Sequence, residues 1–307
     1  MNNDAKVNEI AGKLLGKKGG EGYSSTYDKS LLVRVPRSLN REIYGIEEDK
    51  LPFKGFDVWN GYEVTALTSK GMPVTGVMKI VIPANTKYHP ESKSIKMYIN
   101  SFAMEVCGNT QEEVKKHLED TVREDLSELL ECNEIEVRLF TKDEDERSAE
   151  NSMSYYTNLD DLDNIDSIEI KDYKMNSDLL EEDKDYQDGK YHYFYVKSNK
   201  LRSACRVTHQ PDHGTIYISM YGKHIPTEES VLKFIISFRN EYHFHEEICE
   251  AVYKTLQDQF NPDNLIVACN YTRRGGWDIN PIRGTCAANM PLEWRTVDNM
   301  LKKTIKQ

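Results

Sequence analysis

The stretch Lys96-Met-Tyr-Ile-Asn-Ser-Phe102 has a counterpart in the second half of the chain, Lys233-Phe-Ile-Ile-Ser-Phe238. Each copy is followed by a long segment of helical periodicity and then by a strand pattern, at Glu134–Phe140 and at Leu265–Tyr271. A duplicated unit made of a strand pair, a helix pair and a second strand pair is the simplest explanation. Chance similarity between two amphipathic stretches is the alternative.

The patterns around the two copies indicate an α+β fold. Gly61–Thr68 and Val74–Ile82 alternate or run apolar, as strands do. Thr110 with Glu113 forms a capping box, and apolar residues then recur at helical spacing, which predicts a helix over about 110–132. Strand patterns recur from Tyr191 onward, and a helix start follows at Pro226-Thr-Glu-Glu229. From 142 to 190 the sequence is acidic and polar, which favours a linker or a surface insertion.

Composition restricts the class of protein. The chain has 307 residues, of which 38% are hydrophobic, and carries a net charge of −11. Such a charge argues against sequence-independent nucleic-acid binding, which needs a basic face. The six cysteines form no CxxC pair, which favours reduced thiols over a disulfide framework. No signal peptide and no apolar run of membrane-spanning length is present, so we expect a cytoplasmic protein without a membrane segment.

The stretch Leu201-Arg-Ser-Ala-Cys-Arg-Val-Thr-His-Gln-Pro-Asp-His-Gly214 carries candidate chemistry. Cys205 stands between Arg202 and Arg206, and nearby cations favour the thiolate. Pro211 and Gly214 predict a turn that brings Asp212 back toward the thiol. A thiolate beside a carboxyl indicates covalent addition to an electrophilic carbon, with Asp212 moving the proton. The alternative is a buried structural cysteine beside a turn aspartate.

Two further clusters carry polar groups. Phe244-His-Glu246 places His245 and Glu246 side by side, where both can frame a flat heteroaromatic ligand. His245 and Cys249 are also spaced i, i+4, as zinc ligands can be, but a third ligand at a convincing spacing is missing. Glu91-Ser-Lys-Ser-Ile-Lys96 and Thr272-Arg-Arg-Gly-Gly276 combine cations with small residues, which suits phosphate binding.

The ESKS-x-K, Cys205-to-Asp212, FHE and YTRRGG-x-D-I-N-P motifs together resemble the NADPH-dependent 7-cyano-7-deazaguanine reductases, the QueF family of nitrile reductases in queuosine biosynthesis. The resemblance runs from about Val58 to Arg283 and is to the long, two-module form. It implies two tandem tunnelling-fold (T-fold) modules, each an antiparallel sheet with helices on one face, in a homodimer. It also implies NADPH as cofactor, a small-molecule substrate that is the precursor of a tRNA modification, no direct nucleic-acid partner and no metal.

The resemblance also implies site roles, residue by residue. Cys205 matches the nucleophile that forms a covalent thioimide, Asp212 the proton donor, and His245 a possible second proton shuttle. Asp212 can protonate the nitrile nitrogen if partial desolvation holds its carboxyl group protonated. The residues that match the substrate site are Pro90, Glu91, Ser92, Phe244, His245 and Glu246. The residues that match the NADPH site are Ser92, Lys93, Arg274 and Gly275.

The implied organisation is an N-terminal arm (1–50), a first module (51–145), an acidic linker or insertion (146–190), a second module (191–283) and a C-terminal tail (284–307). Three other functions remain as alternatives: an amidinotransferase-type relative that adds ammonia to the nitrile, a zinc-dependent cyclohydrolase-like T-fold enzyme, and a non-catalytic binding module. The ESKS-x-K patch argues against the first and poor ligand spacing against the second.

Overall fold

The computed structural model describes residues 26–141, 155–206 and 209–301. The strands are β1 (Arg34–Pro36), β2 (Lys54–Thr68), β3 (Pro73–Pro83), β4 (Tyr88–Pro90), β5 (Val106–Gly108), β6 (Glu136–Phe140), β7 (Thr157–Asn158), β8 (His192–Ala204), β9 (Pro211–Gly222), β10 (Asn264–Tyr271) and β11 (Trp277–Gly284). The α-helices are α1 (Ser38–Arg41), α2 (Ser92–Asn100), α3 (Gln111–Leu130), α4 (Glu228–Ser237), α5 (His245–Phe260) and α6 (Leu292–Arg295). Within these residues, none of the helices is both long enough and apolar enough to cross a bilayer.

One sheet runs through both halves of the chain, in the order β6-β3-β2-β11-β10-β9-β8-β7, with β5 beside β2. Its long strands pair antiparallel. The second half contains every element of the predicted unit, in this order: the hairpin β8-β9, the helices α4 and α5, and the hairpin β10-β11. The first half shows β2, β3, α2, α3 and β6, and residues 142–154 lie outside the described chain. The predicted α+β class is confirmed.

The two halves join where β11 pairs with β2, so that Trp277 lies opposite Gly61 and Ile279 opposite Trp59. The last long strand of the chain is therefore a neighbour of the first long strand. Side chains from both halves meet on the helix-covered face at this junction, because successive residues of a strand point to opposite faces.

Helix α3 shows how the sequence determines a local element. Its start is a close variant of the predicted capping box: the Thr110 side chain accepts from the Glu113 amide at 3.2 Å, and Glu113 Oε2 accepts from the Asn109 amide at 2.7 Å. The predicted apolar stripe is buried along its length, at Val114, Leu118, Val122, Leu126 and Leu130. The last helical residue is Leu130, and the C-cap residue Glu131 has the left-handed conformation with φ of 55°.

The sheet has a separate core on each face. The long helices pack against one face in two clusters: α2 and α3 cover the first half of the sheet, and α4 and α5 cover the second. Strand residues of the opposite face, including Val58 and Ile282, pack instead with Met290, Trp294 and Leu301 of the C-terminal segment. Helices on one face are therefore confirmed, and the segment after β11 provides cover for part of the other.

Segments outside the two units also contribute to the packed structure. Arg37 and Arg41, within the predicted N-terminal arm, are buried. In the acidic segment, Leu159 and Leu180 pack into the core of the second half, while many of the carboxylates between them stay exposed. The acidic residues of this segment mainly face solvent, and a few apolar residues pack it against the second half of the chain.

Candidate active site

A cleft with about 460 Å³ of free space, part of it open to solvent, lies on the helix face where the two halves join. Both halves contribute side chains: the lining consists of Trp59, His89, Pro90, Ser92, Lys96, Cys205, Asp212, His243, Phe244, His245, Glu246, Thr272, Arg274, Trp277 and Ile279. The cleft thus brings together eight of the predicted site residues: Pro90, Ser92, Cys205, Asp212, Phe244, His245, Glu246 and Arg274.

Cys205 follows the end of β8 and is 7% exposed. Its amide donates to the Gln210 carbonyl at 2.8 Å and its carbonyl accepts from the His209 amide at 2.9 Å, which closes the connection to β9. His209 has φ of 57°, a left-handed conformation that suits such a tight connection. The backbone of Cys205 is therefore fixed on both sides at the cleft wall.

The predicted turn at Pro211 and Gly214 is wrong, because both residues lie inside β9. Asp212 faces the cleft as a strand residue paired with Ser203 of β8. Gly214 is needed for a different reason: a Cβ at this position would lie 2.8 Å from the carbonyl oxygen of Asn270 on β10. Glycine here allows close approach of neighbouring strands.

Arg202 and Arg206, the two cations predicted to favour the Cys205 thiolate, do not line the cleft. Arg206 is buried in an ion pair with Glu247 at 3.1 Å, and Arg202 donates to the carbonyl of Arg239. The cationic side chains that share the cleft with Cys205 are Lys96 and Arg274. Proximity in sequence was misleading here because adjacent residues of a strand or turn need not face the same way.

Asp212 is 5% exposed and has two cationic or proton-bearing neighbours. Its Oδ2 lies 3.4 Å from His245 Nε2, and its Oδ1 lies 3.0 Å from Arg274 Nη1, an ion pair without an aligned N–H. Burial by itself raises the pKa of Asp212, but His245, Arg274 and Lys96 together outweigh it and hold the pKa below its ordinary value. A lowered pKa means that Asp212 is a carboxylate near neutral pH, so the hypothesis that it is held protonated is wrong.

His245 opens helix α5, and its ring stacks on that of Tyr271, with centroids 3.8 Å apart and planes 6° apart. With Nε2 directed at Asp212, the stacking fixes the ring orientation. Its Nδ1 is buried without a hydrogen-bond partner in the described chain. A buried unpaired ring nitrogen at a cleft is a ready contact for a polar ligand.

Glu246, the next residue of α5, is 4% exposed, and its Oε1 has no hydrogen-bond partner among residues 26–141, 155–206 and 209–301. Burial, followed by the charge of Asp57, raises the pKa of Glu246 to about 8. Two carboxyl groups of one cleft therefore differ in protonation near neutral pH: burial favours the protonated form of Glu246, whereas the neighbouring cations favour the ionised form of Asp212. Such a separation is a recurrent property of catalytic and binding sites.

A buried ion-pair network lies behind Glu246. Asp57 on β2 contacts Arg37 at 2.6 Å and Arg283 at 2.8 Å, and Glu250 on α5 contacts Arg283 at 2.8 Å and Arg41 at 2.9 Å. Although burial raises the pKa of Asp57 and of Glu250, the arginines lower each to about 2. Glu48 is the third carboxylate of the network, 3.2 Å from Arg41, so that three arginines face three carboxylates. The network fixes α5 relative to β2 and β11.

Glu91 is the N-cap of α2, and its two oxygens accept from the amides of Lys93 at 3.0 Å and Ser94 at 2.7 Å. It is absent from the described lining of the cleft, as is Lys93. Ser92 and Lys96, one turn apart on α2, do line it. The assignment of Glu91 to the substrate remains a prediction.

Gly275 and Arg274 belong to the tight turn before β11. Gly275 has φ of 58°, a left-handed conformation that favours glycine. The side chain of Lys96 lies next to this turn, and its Nζ donates to the Arg274 carbonyl at 2.7 Å. Burial and then Arg274 lower the pKa of Lys96. Two cations are thus held near one another at the cleft, an arrangement suited to an anionic group.

Sequence reasoning missed several residues of the cleft wall: Trp59, His89, Lys96, His243, Thr272, Trp277 and Ile279. Lys96 was quoted in the ESKS-x-K motif but not assigned a site role, although i, i+4 spacing from Ser92 places both on one helix face. The tryptophans come from the β2–β11 junction, which no local pattern reveals. The zinc alternative loses its second ligand, because Cys249 Sγ lies 3.3 Å from the Val267 carbonyl in the core.

A cysteine, a carboxylate and a histidine lie beside two cations in one cleft of an α+β fold, an arrangement typical of an enzyme that acts on a small ligand. Two family models match the chain: "Nitrile reductase, 7-cyano-7-deazaguanine-reductase N-term" over residues 23–139, and "QueF-like protein" over residues 211–290. The chain belongs to the 7-cyano-7-deazaguanine reductase (QueF) family.

Similar proteins include two from strains of Rickettsia bellii, OSU 85-389 and RML369-C, each named NADPH-dependent 7-cyano-7-deazaguanine reductase. Each is 37% identical over 278 residues, which covers 90% of this chain and 94% of the relative. Among solved structures, an archaeosine synthase QueF-Like in the apo form matches with 15% identity and a TM-score of 0.28, over 33% of this chain and 96% of that one.

Proposed function

We propose that this protein is an NADPH-dependent nitrile reductase that converts 7-cyano-7-deazaguanine to 7-aminomethyl-7-deazaguanine, within queuosine biosynthesis. The observation that carries the proposal is the placement of Cys205, Asp212 and His245 in one cleft with unpaired buried groups at Glu246 and His245. Family membership and the names of the Rickettsia relatives support the same reaction.

In the proposed first step, Cys205 Sγ adds to the nitrile carbon and forms a thioimide. Asp212 is a carboxylate in the unliganded protein, so it accepts the thiol proton and passes it to the nitrile nitrogen as negative charge develops there. One C–S bond forms, one C–N π bond breaks, and the thiol proton ends on nitrogen, so no outside proton is consumed. His245, held 3.4 Å from Asp212, orients the carboxylate and is a second group through which a proton can pass.

We assign six residues to the substrate, of which all but Glu91 line the cleft: Pro90, Glu91, Ser92, Phe244, His245 and Glu246. Glu246 offers an unpaired oxygen to the N–H donors on the amidine-like edge of the heterocycle. A carboxylate is the better acceptor, so we expect substrate to favour ionised Glu246 and to lower its pKa on binding.

The chain's cations fit the cofactor. Lys96 and Arg274 line the cleft, Lys93 is on the same helix as Lys96, and Arg273 stacks on the ring of Tyr62 with its guanidinium 3.5 Å from the ring centroid. Clustered lysines and arginines suit the phosphates of a dinucleotide. When bound, NADPH supplies the hydride needed at each of the two reductions. We assign Ser92, Lys93, Arg274 and Gly275, together with Lys96, to holding it.

The experiment is to mix the protein with 7-cyano-7-deazaguanine in the absence of NADPH and to measure intact mass and thioimide absorbance, with Cys205→Ala in parallel. An adduct on the wild type alone, discharged by NADPH with about two molecules oxidised per nitrile, is the expected result. An adduct that NADPH does not discharge would instead indicate an amidinotransferase-type reaction. Absence of any adduct, with the nitrile shown to bind, would refute the covalent mechanism.

We also propose a cytoplasmic homodimer that does not bind nucleic acid directly. All six cysteines are free, which is usual in a reducing compartment, and the net charge is −11. Among the described residues, strand β8 lies near one edge of the sheet and pairs on that side with two residues of β7; Tyr193 of β8 and Tyr191, just before it, are exposed. Such an edge favours pairing with a second copy. Sedimentation velocity measures the mass: a monomer at micromolar concentration would contradict the dimer.

A further inference from the structure

His89 is a cleft residue for which neither the motifs nor the proposed mechanism has a use. It lies in β4, paired with Val35 of β1, two residues before Glu91, the first residue of the ESKS segment. Its side chain is 4% exposed, and it lines the cleft on the same wall as Phe244 and Glu246. The rings of His89 and Phe244 meet edge to face, with centroids 5.1 Å apart.

The contacts of the ring determine what it offers to a ligand. Nδ1 lies 3.2 Å from the Pro90 carbonyl oxygen, and since a carbonyl only accepts, Nδ1 carries the hydrogen. Nε2 is then an acceptor. It is buried and has no hydrogen-bond partner in the described parts of the chain. Burial, and next the charge of Arg37, lower the pKa of His89 to about 3, which keeps the ring neutral.

A second unpaired acceptor is close by. Glu246 Oε1 lies 4.0 Å from His89 Nδ1 and is itself buried without a hydrogen bond. Leaving such a buried group unpaired is unfavourable, so the wall is complementary to a ligand that presents adjacent N–H donors. Glu91 accepts one hydrogen bond at each oxygen, from the amides of Lys93 and Ser94, and each oxygen has a second lone pair for a ligand.

We propose that His89 is a specificity-determining residue whose Nε2 accepts a hydrogen bond from the exocyclic amino group of the heterocycle, beside Glu246. This inference rests on the proposed function, because it takes the substrate to be a 7-deazaguanine. The amino group has two hydrogens, and Glu246 together with His89 provides one acceptor for each.

The test compares two ligands on three proteins. Binding of 7-cyano-7-deazaguanine and of its analogue without the exocyclic amino group is measured by calorimetry, in the Cys205→Ala background so that no covalent adduct forms. His89→Leu removes the acceptor, and His89→Gln keeps one near the position of Nε2. We expect His89→Leu to weaken the amino-bearing ligand by roughly 5- to 100-fold and the analogue by less than about 2-fold, with affinity partly restored in His89→Gln.

In the Cys205-containing enzyme the same change should raise the KM for the nitrile and leave kcat within about 3-fold, since the contact is remote from the reacting carbon. Equal losses for the two ligands would overturn the inference and leave His89 as a packing residue. Should His89→Leu not fold, His89→Phe, which keeps the ring against Phe244, makes the same comparison. If the wild type forms an adduct but His89 does not discriminate, the inference alone fails; if the wild type does not bind the nitrile at all, the proposed function fails.

Discussion

Glu246→Gln is the substitution whose consequence the structure determines most directly. In the folded protein the pKa of Glu246 is raised from 4.5 to about 8, mainly by burial and next by Asp57. Between these values the folded state holds a proton that the unfolded state has released, so the free energy of unfolding falls as pH rises. At about 1.4 kcal/mol per pKa unit, the wild type loses on the order of 3 kcal/mol between about pH 5 and pH 8 through this group.

Glutamine has no proton to exchange and can be buried neutral at every pH. We therefore expect Glu246→Gln to become progressively more stable than the wild type as pH rises, by on the order of 3 kcal/mol at about pH 8 relative to about pH 5. The same variant should bind 7-cyano-7-deazaguanine more weakly, because the carboxylate is lost. Urea unfolding at a series of pH values, followed by circular dichroism, measures the difference directly.

The matched control is Glu250→Gln, one turn further along α5. Burial acts on Glu250 too, but Arg283 and Arg41 outweigh it and lower its pKa to about 2, so its stabilising contribution is lost only as pH falls below about 4.5. Its stability difference from the wild type should be flat from about pH 5 to pH 8, although large, because two arginines lose their partner. If Glu250→Gln does not fold, Glu229→Gln on α4, whose pKa is also lowered, replaces it. Parallel pH dependences for Glu246→Gln and the wild type would refute the reasoning.

Three further outcomes follow from the geometry. Arg274→Met removes a cation 3.0 Å from Asp212, so the pKa of Asp212 should rise and the acid limb of the pH profile for adduct formation should move to higher pH; an unmoved limb would count against Asp212 as the proton acceptor. Lys96→Met should raise the KM for NADPH by about 10-fold or more and change nitrile binding by less than about 2-fold, measured by steady-state kinetics and calorimetry. Gly214→Ala places a methyl group 2.8 Å from a β10 backbone oxygen and should cost more than about 2 kcal/mol, whereas Gly222→Ala, with 3.1 Å to its nearest atom, should cost less in the same thermal unfolding assay.

The elements that the sequence predicted well are those specified by neighbouring residues. The apolar stripe and capping box of α3 lie within one helix, and strand alternation located β2, β3 and β10 to within a few residues at most ends, although β2 begins well before its predicted start. The duplication was also visible, because both copies carry the same local pattern. Hydrophobic periodicity reports which face of an element is buried, and this information is local.

The pairing of β11 with β2 could not be predicted in this way, since no local pattern states which strands are neighbours. That pairing places Trp59 and Trp277 in the cleft and was therefore the reason that both were missed. The predicted turn at Pro211 was wrong for a related reason, since proline is permitted at the first position of a strand. The side chain of Asp212 reaches the cleft because it points to the cleft-facing side of β9, and no turn is needed. Arg202 and Arg206, the arginines nearest Cys205 in sequence, likewise lie outside the cleft lining and contact the Arg239 carbonyl and Glu247.

Two ends of the cleft differ in charge, and this difference orients a ligand. Around Cys205 and Asp212 the neighbours are Lys96 and Arg274, which favour negative charge as it develops on a reacting group. At the other end, a neutral His89 and a buried Glu246 offer unpaired acceptors to N–H donors. A flat heterocycle with donors on one edge and a nitrile on the opposite side fits in one direction only, with the nitrile toward the thiol. In the proposed mechanism the acceptors contact the edge remote from the reacting carbon, so they add to binding and to orientation, whereas the rate of C–S bond formation depends on the cationic end.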